Sequence, residues 1–182
     1  MNEYSVTIEG TTPLLFNRFI EASISSKTKK RAGATKDVVV EDKLYKDGKG
    51  KICIPSTWIY GSLIESAKNF KIPGKRTATY SRLVGSTIQI NPEMFEMFPQ
   101  NWEPYTISAV NPATRGRIMT TRPRFNKWKV TFNIIFNEDD LPLEVIKNVI
   151  DYAGNYVGIG DWRPAKKGQF GKFIVTKFEE AG

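Results

Sequence analysis

Glycine, cationic and aromatic residues alternate in the segment VGIGDWRPAKKGQFGKFIV, residues 157–175. Its glycines allow a positive φ or a close approach of another backbone, and its cations attract anions. The glycines are Gly158, Gly160, Gly168 and Gly171, and the cations are Arg163, Lys166, Lys167 and Lys172. The composition predicts a loop that meets a polyanion. A solvated surface loop whose glycines only turn the chain is the alternative.

A second segment, RGRIMTTRPRFNKW (residues 115–128), also interleaves arginines with aromatic side chains. Most of it falls in residues 111–127, which we call the basic arm. If the arm is extended, alternate side chains share one face, so Arg122 and Arg124 are expected to reach the same strand of a nucleic acid. Sequence-independent binding to single strands needs cations along the phosphates and flat side chains against the bases. Both segments contain both ingredients.

Aromatic residues in the two segments differ in what their positions predict. Trp162, between Asp161 and Arg163 in a loop, is the expected stacking residue. Phe125, Trp128 and Phe170 either stack on bases or belong to the hydrophobic core. We expect Asp161 to fix the loop by pairing with an arginine rather than to act as a catalyst.

The cations of the chain are gathered in clusters. The formal net charge is +8, and the stretches 22–36, 66–92 and 104–137 contain no acidic residue. The acids gather in NEDDLPLE, around Glu93 and Glu96, and at the C-terminus. This segregation predicts one surface that faces a polyanion. The predicted nucleic-acid contacts are Arg18, Lys29, Lys30, Arg31, Arg76, Arg115, Arg117, Arg122, Arg124, Trp162, Arg163, Lys166, Lys167 and Lys172.

Scarce residue types exclude several functions. The chain has no histidine and a single cysteine, Cys53, so the commonest general base, the commonest metal ligand and an internal disulfide are missing. The acidic run at residues 138–140 is explained by a helix start, and we expect neither a metal site nor a cofactor. The apolar runs are shorter than the roughly 20 residues of a membrane span. Because the N-terminus also lacks a signal-peptide pattern, we expect a cytoplasmic protein without membrane contact.

The elements that must position these segments follow from the spacing of apolar residues. YSVTIEG and KWKVTFNIIF alternate like half-buried strands, and STIQI and FGKFIVTKF are predicted to be strands as well. STWIYGSLIESAKNF, which Ser56 or Thr57 can cap, and NEDDLPLEVIKNVIDYAG have the spacing of amphipathic helices. DVVVEDKLYKDGKGKICIPS predicts a hairpin around a glycine-rich turn at 47–50. Gly61 within the first helix indicates either close approach of another backbone or sequence drift.

Without insertions, the order is strand, helix, strand, strand, helix, strand. This order predicts an α+β fold of the ferredoxin-like or RRM-like split βαβ type, with a four-stranded antiparallel sheet, two helices on one face and the other face available. The hairpin and the basic arm are insertions into this fold. Residues 21–36 are polar and basic, and we expect them to form a flexible loop. Nothing in the composition marks a second domain, so residues 1–182 are expected to form one domain.

Three motifs, in their order along the chain, resemble those of the RAMP superfamily of CRISPR-associated proteins, especially the backbone subunits that polymerise along guide RNA. IEGTTPLLF resembles the first strand and the apolar loop after it. DVVVEDKLYKDGKGKICIPSTWIYGSLIESA resembles the hairpin, the Ile-Pro pair and the first helix, with Gly61 at the place of the family's helix glycine. GIGDWRPAKKGQFGKFIV resembles the glycine-rich loop before the last strand, which packs near bound RNA in that family. Ser56 stands where the family has a glycine, which favours a divergent relative, for example one encoded by a phage or another mobile element.

The residues and the resemblance together predict a protein that binds single-stranded RNA or DNA without sequence preference. A relative of the backbone subunits is expected to stack head to tail with copies of itself along the strand. One alternative is a RAMP-type endoribonuclease that cuts through Asp37, or through Tyr45 or Tyr80 with a nearby lysine. Catalysis is the less favoured alternative because general acid–base work needs a substitute for the missing histidine. The other alternative is a protein-interaction module, such as a phage decoy or inhibitor.

Overall fold

The computed structural model describes residues 1–19, 40–110 and 113–182. The loop at 21–36 and the first two residues of the basic arm lie outside the described residues. The strands are β1 (Asn2–Gly10), β2 (Leu14–Leu15), β3 (Cys53–Pro55), β4 (Gln89–Asn91), β5 (Met94–Glu96), β6 (Glu103–Val110), β7 (Arg117–Phe125), β8 (Lys129–Phe136) and β9 (Phe173–Glu180). The helices are α1 (Ser56–Ala67), α2 (Ser81–Thr87) and α3 (Leu143–Tyr152). A π-helical turn, Ala153–Val157, and a 3₁₀ turn, Pro164–Lys166, follow α3.

The main sheet has four antiparallel strands in the order β4-β8-β1-β9. β1, the first strand of this sheet along the chain, therefore lies between β8 and β9, which are the third and fourth. β4, the second, lies at the edge beyond β8. This is the strand order of the split βαβ unit, so the predicted ferredoxin-like or RRM-like α+β fold is confirmed.

One side of the main sheet carries the core. Val6 and Ile8 of β1 lie opposite Phe132 and Val130 of β8, and all four side chains are buried. They form one cluster with the apolar faces of α1 and α3, including Leu63 of α1. The period-two pattern of the strands and the three-and-four pattern of the helices thus meet as expected.

The helical layer differs from the prediction in having a third helix. α2 includes Ser86 and Thr87, which we predicted to begin a strand, and only residues from Gln89 onward pair with β8. Both hydroxyls donate hydrogen bonds to the Leu83 carbonyl oxygen, at 3.3 and 2.7 Å. Such bonds to the preceding turn let serine and threonine remain helical, which the local β propensity did not reveal.

The start of α1 also differs from the prediction. The N-cap is Pro55, and no side chain caps the helix, so the expected capping by Ser56 or Thr57 is wrong. The backbone N–H of Ser56 donates instead to the Glu93 carbonyl oxygen at 2.8 Å. A neighbouring backbone therefore satisfies one of the N–H groups that lack a partner within the helix.

The predicted glycine-rich hairpin is short. Its ladder is a single antiparallel bridge between Lys46 and Ile52, around a turn in which the Asp47 carboxylate accepts hydrogen bonds from two backbone N–H groups, at 2.8 and 2.9 Å. Val40, in the first half of the expected hairpin, is helical. No helix in the described ranges is long and apolar enough to cross a bilayer.

A second sheet positions the basic arm. It has three antiparallel strands in the order β2-β7-β6, and β6 and β7 form a long hairpin that contains most of the arm. The base of this hairpin is attached to the rest of the protein where Leu14 and Leu15 pair with Phe125 and Arg124. The arm is therefore extended from Arg117 to Phe125, and its base lies beside the segment that follows β1.

Candidate nucleic-acid interface

The glycine loop, defined here as residues 158–172, is held against the segment between β1 and β2. The Asp161 N–H donates to the Leu15 carbonyl oxygen at 3.0 Å, and the Gly171 N–H donates to that of Pro13 at 2.8 Å. The Lys172 N–H donates to the Thr12 hydroxyl oxygen at 3.0 Å. These bonds join the loop to the IEGTTPLLF segment near the start of the chain. Thr12 and Lys172, for example, are 160 residues apart in sequence.

Glycine is required at two positions of this loop because the backbone folds back on itself. A Cβ built on Gly168 would overlap the Trp162 carbonyl, and one on Gly171, whose φ is 72°, would overlap the carbonyl of Ile159. The predicted use of these glycines for positive φ or close approach is confirmed. The loop is a compact turn rather than an open solvated one.

An ion pair between a buried arginine and a half-buried aspartate joins the loop to the basic arm. The Asp161 carboxylate lies against the Arg122 guanidinium, and the Arg122 residue is only 7% exposed. The expectation that Asp161 pairs with an arginine is confirmed. Because Arg122 is buried, the structure removes it from the set of exposed cations in which the sequence had placed it.

Trp162 lies over the same arginine. Its ring centroid is 5.0 Å from the central guanidinium carbon of Arg122, and the residue is half-buried with a φ of 50°. A non-glycine residue with positive φ is uncommon and persists only where its surroundings hold it. Asp161 and Arg122 therefore fix both the backbone and the ring of the predicted stacking residue.

Lys43 is a half-buried cation close to Arg122 and Asp161, and it was not predicted from the sequence. Its ammonium donates to the Thr121 carbonyl oxygen at 2.6 Å. Burial lowers the pKa of Lys43, the Arg122 charge lowers it further, and the Asp161 carboxylate opposes both effects. No spacing signal could have shown this, because Lys43 and Thr121 are 78 residues apart.

Arg124, the neighbour of Arg122 on the same face of β7, is held by two groups from the hairpin. Its central guanidinium carbon lies 5.1 Å from the Tyr105 ring centroid, and its Nε lies 3.7 Å from the Glu103 carboxylate. Tyr105 packs edge-on against Phe170 of the glycine loop at 5.6 Å. The hairpin and the loop thus form one continuous surface.

Exposed cations surround this surface. Lys166 and Lys167 are exposed, Lys172 is half-buried, and the Nη1 atom of Arg163 donates to the Gly160 carbonyl oxygen at 3.0 Å. Arg115 and Arg117 are exposed at the far end of the hairpin. That end also exposes apolar side chains, with Val110, Ile118 and Met119 at 63%, 46% and 70% exposure.

Of the other predicted contacts, Arg18 lies beside Lys43, whose carbonyl oxygen accepts a hydrogen bond from the Arg18 backbone N–H at 3.0 Å, and the rest lie elsewhere or outside the described residues. Arg18 is exposed with its guanidinium 5.8 Å from the Tyr45 ring centroid, and Arg76 is exposed in the loop after α1. Tyr80 is 8% exposed, which makes it a core residue. The residues whose placement is not described are Lys29, Lys30, Arg31 and Asp37.

The three aromatic residues that were predicted either to stack on bases or to belong to the core are all buried. Phe125, Trp128 and Phe170 are 0%, 1% and 7% exposed, so they belong to the core and its rim and do not stack on bases. The Trp128 indole N–H donates to the Thr12 carbonyl oxygen at 2.9 Å, which supports the segment that carries the glycine loop. Trp162 remains as the half-exposed aromatic residue of the two segments.

The free face of the main sheet does not offer the stacking surface of an RRM. In the RRM, aromatic side chains on the sheet stack on two or three bases. In β1 and β8, which are described throughout, the corresponding face has Ser5, Thr7, Thr131 and Asn133 at its centre. The Thr7 and Thr131 hydroxyls hydrogen-bond to each other at 2.9 Å. The half-buried Trp162 and the exposed Lys166 and Lys167 are instead found together at the glycine loop.

Comparisons with known proteins give a likeness in structure only. No family model and no curated protein matches the chain in sequence. A chain of the cryo-EM structure of the Type III-B Cmr-beta bound to cognate target RNA is similar, with a TM-score of 0.55 and 14% sequence identity. The match covers 98% of this chain and 61% of that chain, so this chain spans less than two thirds of its neighbour. At this identity the likeness shows the fold alone.

Proposed function

We propose that the protein binds single-stranded nucleic acid, RNA in particular, without sequence preference, through the glycine loop and the β6–β7 hairpin. The observation that carries the proposal is Trp162, held over Arg122 by the buried pair with Asp161, beside the exposed Lys166 and Lys167. A fixed aromatic ring stacks on any base, and cations at its side neutralise the neighbouring phosphates. The RNA-bound solved neighbour favours RNA over DNA as the natural ligand.

The binding energy divides between stacking and charge. Stacking on an aromatic ring contributes about 1–3 kcal/mol per base and tolerates every base, because each has a π face. Phosphate contacts position the strand without reading its sequence. Holding Trp162 in place before the strand arrives reduces the entropy that binding would otherwise lose.

Fluorescence anisotropy with labelled strands tests the proposal. Single-stranded RNAs of unrelated sequence should bind with similar affinity, and the corresponding duplex should bind more weakly because its bases are already stacked. Equal affinity for the duplex would contradict the role of Trp162 and leave an electrostatic surface only. Running the same mixtures on a gel with and without divalent metal tests for the endoribonuclease alternative, which predicts shortened RNA.

The end of the β6–β7 hairpin supports assembly with copies of the same chain. Val110 and Met119 are exposed on one face of the hairpin end and Ile118 on the other, next to two arginines, and exposed apolar side chains of this kind mark protein contacts. Contact of this tip with a different surface of the next copy gives a head-to-tail chain along the strand. The acidic residues that the chain keeps apart from its cations are suitable partners for the arginines.

The oligomeric state on strands of different length tests the assembly. Light scattering should show oligomers on long single strands and monomers on strands too short for two copies. Replacing Ile118 and Met119 together by serine should abolish the oligomers while each copy still binds a short strand. A monomer on every length would leave isolated binding, and a stable oligomer without nucleic acid would instead favour a protein-interaction module.

A further inference from the structure

A cavity of about 260 Å³ lies at the base of the β6–β7 hairpin, apart from the glycine loop. Its lining is Pro99, Asn101, Trp102, Glu103, Arg124, Asn126 and Lys127. Its volume is close to the lower end of the roughly 300–1,000 Å³ of pockets that hold small organic ligands.

The cavity combines a flat aromatic surface with two cations. Trp102 is half-buried, packs against the core and also lines the cavity. Lys127 is exposed at the turn between β7 and β8. Arg124 is held by Tyr105 and Glu103, yet its buried Nε has no hydrogen-bond partner among the described residues. A ligand with a ring system and a negative charge would stack on Trp102 and pair with the two cations.

Amide and carboxylate groups complete the lining and narrow the ligand further. Asn126 donates to the Glu103 carboxylate at 2.9 Å. Asn101 adds a second amide, which can both donate and accept hydrogen bonds. A carboxylate repels a simple anion such as phosphate, whereas it accepts hydrogen bonds from amino and hydroxyl groups. A ligand that carries phosphate, ring and such donors in one molecule fits this lining.

We propose that this cavity binds one nucleoside monophosphate unit, with its base against Trp102, its phosphate at Arg124 and Lys127, and its polar edge or sugar at Glu103 and the two asparagines. The unit is either a free mononucleotide or the end of a strand, because both present the same chemistry. Trp162 does not line this site, so a mononucleotide can occupy it without a strand at the glycine loop, although Arg124 also belongs to the surface that continues to that loop.

Indole N–H signals in NMR spectra report on the cavity directly, because the chain has four tryptophans. Titration with adenosine and uridine monophosphates tests the free source, and oligonucleotides with and without a 5′-phosphate test the strand-end source. The Trp102 signal, identified by its loss in Trp102→Phe, should shift, whereas that of the buried Trp128 should not. A shift with mononucleotides identifies the free source, and a shift only with the phosphorylated strand identifies the strand end. If neither ligand moves Trp102, the proposal is overturned.

Variants separate the cavity from a general electrostatic effect. Lys127→Gln should weaken mononucleotide binding about threefold to tenfold, as expected for one lost charge-assisted contact. Lys129→Gln is the control, since Lys129 is also exposed, lies two positions further along and does not line the cavity. Equal losses in the two variants, or equal binding of inorganic phosphate, would contradict a nucleotide site. Lys166→Gln with Lys167→Gln should leave the Trp102 titration unchanged even if strand binding at the glycine loop is absent.

Discussion

At the scale of single residues, the interface depends on a charge pair that positions an aromatic ring. The Arg122 side chain is 9% exposed and that of Asp161 is 26% exposed. A buried pair of this kind is rarely a large net source of stability, but the loss of one partner leaves the other charge buried and unpaired. The pair is therefore best understood as a device that fixes Trp162 and connects the loop to β7.

Asp161→Asn should destabilise the protein by about 2–3 kcal/mol, because Arg122 would keep its charge without a counter-charge. Replacing Arg122 by methionine in the same variant should recover part of this loss, since no unpaired charge then remains. Urea unfolding measures both effects. Glu179→Gln on the exposed end of β9 is the control. A cost for Asp161→Asn no larger than that of the control would show that the pair does not hold the loop.

Trp162→Ala should weaken binding to single-stranded RNA by about 1–3 kcal/mol. The dependence of affinity on salt should barely change, because stacking releases few counterions. Anisotropy titrations at several salt concentrations measure both quantities. Tyr156→Ala is the matched control, since Tyr156 is 64% exposed but belongs to the π-helical turn after α3. Equal losses in the two variants would deny Trp162 a specific role.

At the scale of elements, the backbone of the glycine loop is closely packed at Gly168, although the lysines of the loop are exposed. Gly168 lies directly under the Trp162 carbonyl, and the Phe170 N–H donates to the same carbonyl oxygen at 3.1 Å. The backbone of the stacking residue is thus held from within the loop as well as by Arg122. A change at Gly168 should therefore affect both stability and RNA binding.

Gly168→Ala should cost about 1–3 kcal/mol of stability, as overpacking does in well-packed interiors, and should weaken RNA binding by moving Trp162. Thermal unfolding and anisotropy test the two effects. Gly48→Ala is the control, because no described atom lies within 4 Å of a Cβ at Gly48 and its φ is not left-handed. If Gly168→Ala behaves like Gly48→Ala, the loop is not the rigid platform described here.

Gly61→Ala should stabilise the protein by about 0.5–1 kcal/mol. Gly61 is exposed within α1, and no described atom lies within 4 Å of a Cβ built there, so alanine gains its helix propensity without a clash. Among the described residues no backbone approaches this glycine, which favours drift over the alternative predicted from the sequence. Thermal unfolding against wild type is the measurement, and a lower melting temperature would reveal a contact at this position.

The sequence predicted the elements better than it predicted the contacts between them. Local periodicity was sufficient for β1, β8, α1 and α3, and therefore for the order of the split βαβ fold. It failed at α2, where hydroxyl bonds to the preceding turn outweigh strand propensity. It also placed Arg122 at the surface, because a pair 39 residues apart forms only when the loop folds back onto β7. Asp161 was assigned correctly because an acid within a basic loop has few other partners.

At the scale of the whole molecule, the segregated charge is the feature that a polyanion would use. The exposed Lys166 and Lys167 beside Trp162, together with Arg115 and Arg117 on the hairpin, lie on the elements joined by the Arg122–Asp161 pair. The centre of the free sheet face is uncharged and lacks aromatic side chains in β1 and β8. The fold therefore serves as a support, and its insertions provide the surface proposed to bind RNA.

The salt dependence of single-stranded RNA affinity decides whether this surface binds phosphates. For wild type, the logarithm of the association constant should fall linearly with the logarithm of salt concentration, by about 0.7 per phosphate contact. Lys166→Gln with Lys167→Gln should reduce that slope by about 1.4, the value for two lost contacts, on every sequence tested. Lys147→Gln on α3 with Lys177→Gln on β9, two lysines away from the glycine loop, should leave it unchanged. Absence of wild-type binding to RNA and to single-stranded DNA at low salt, or an equal slope in all three proteins, would contradict the proposed interface.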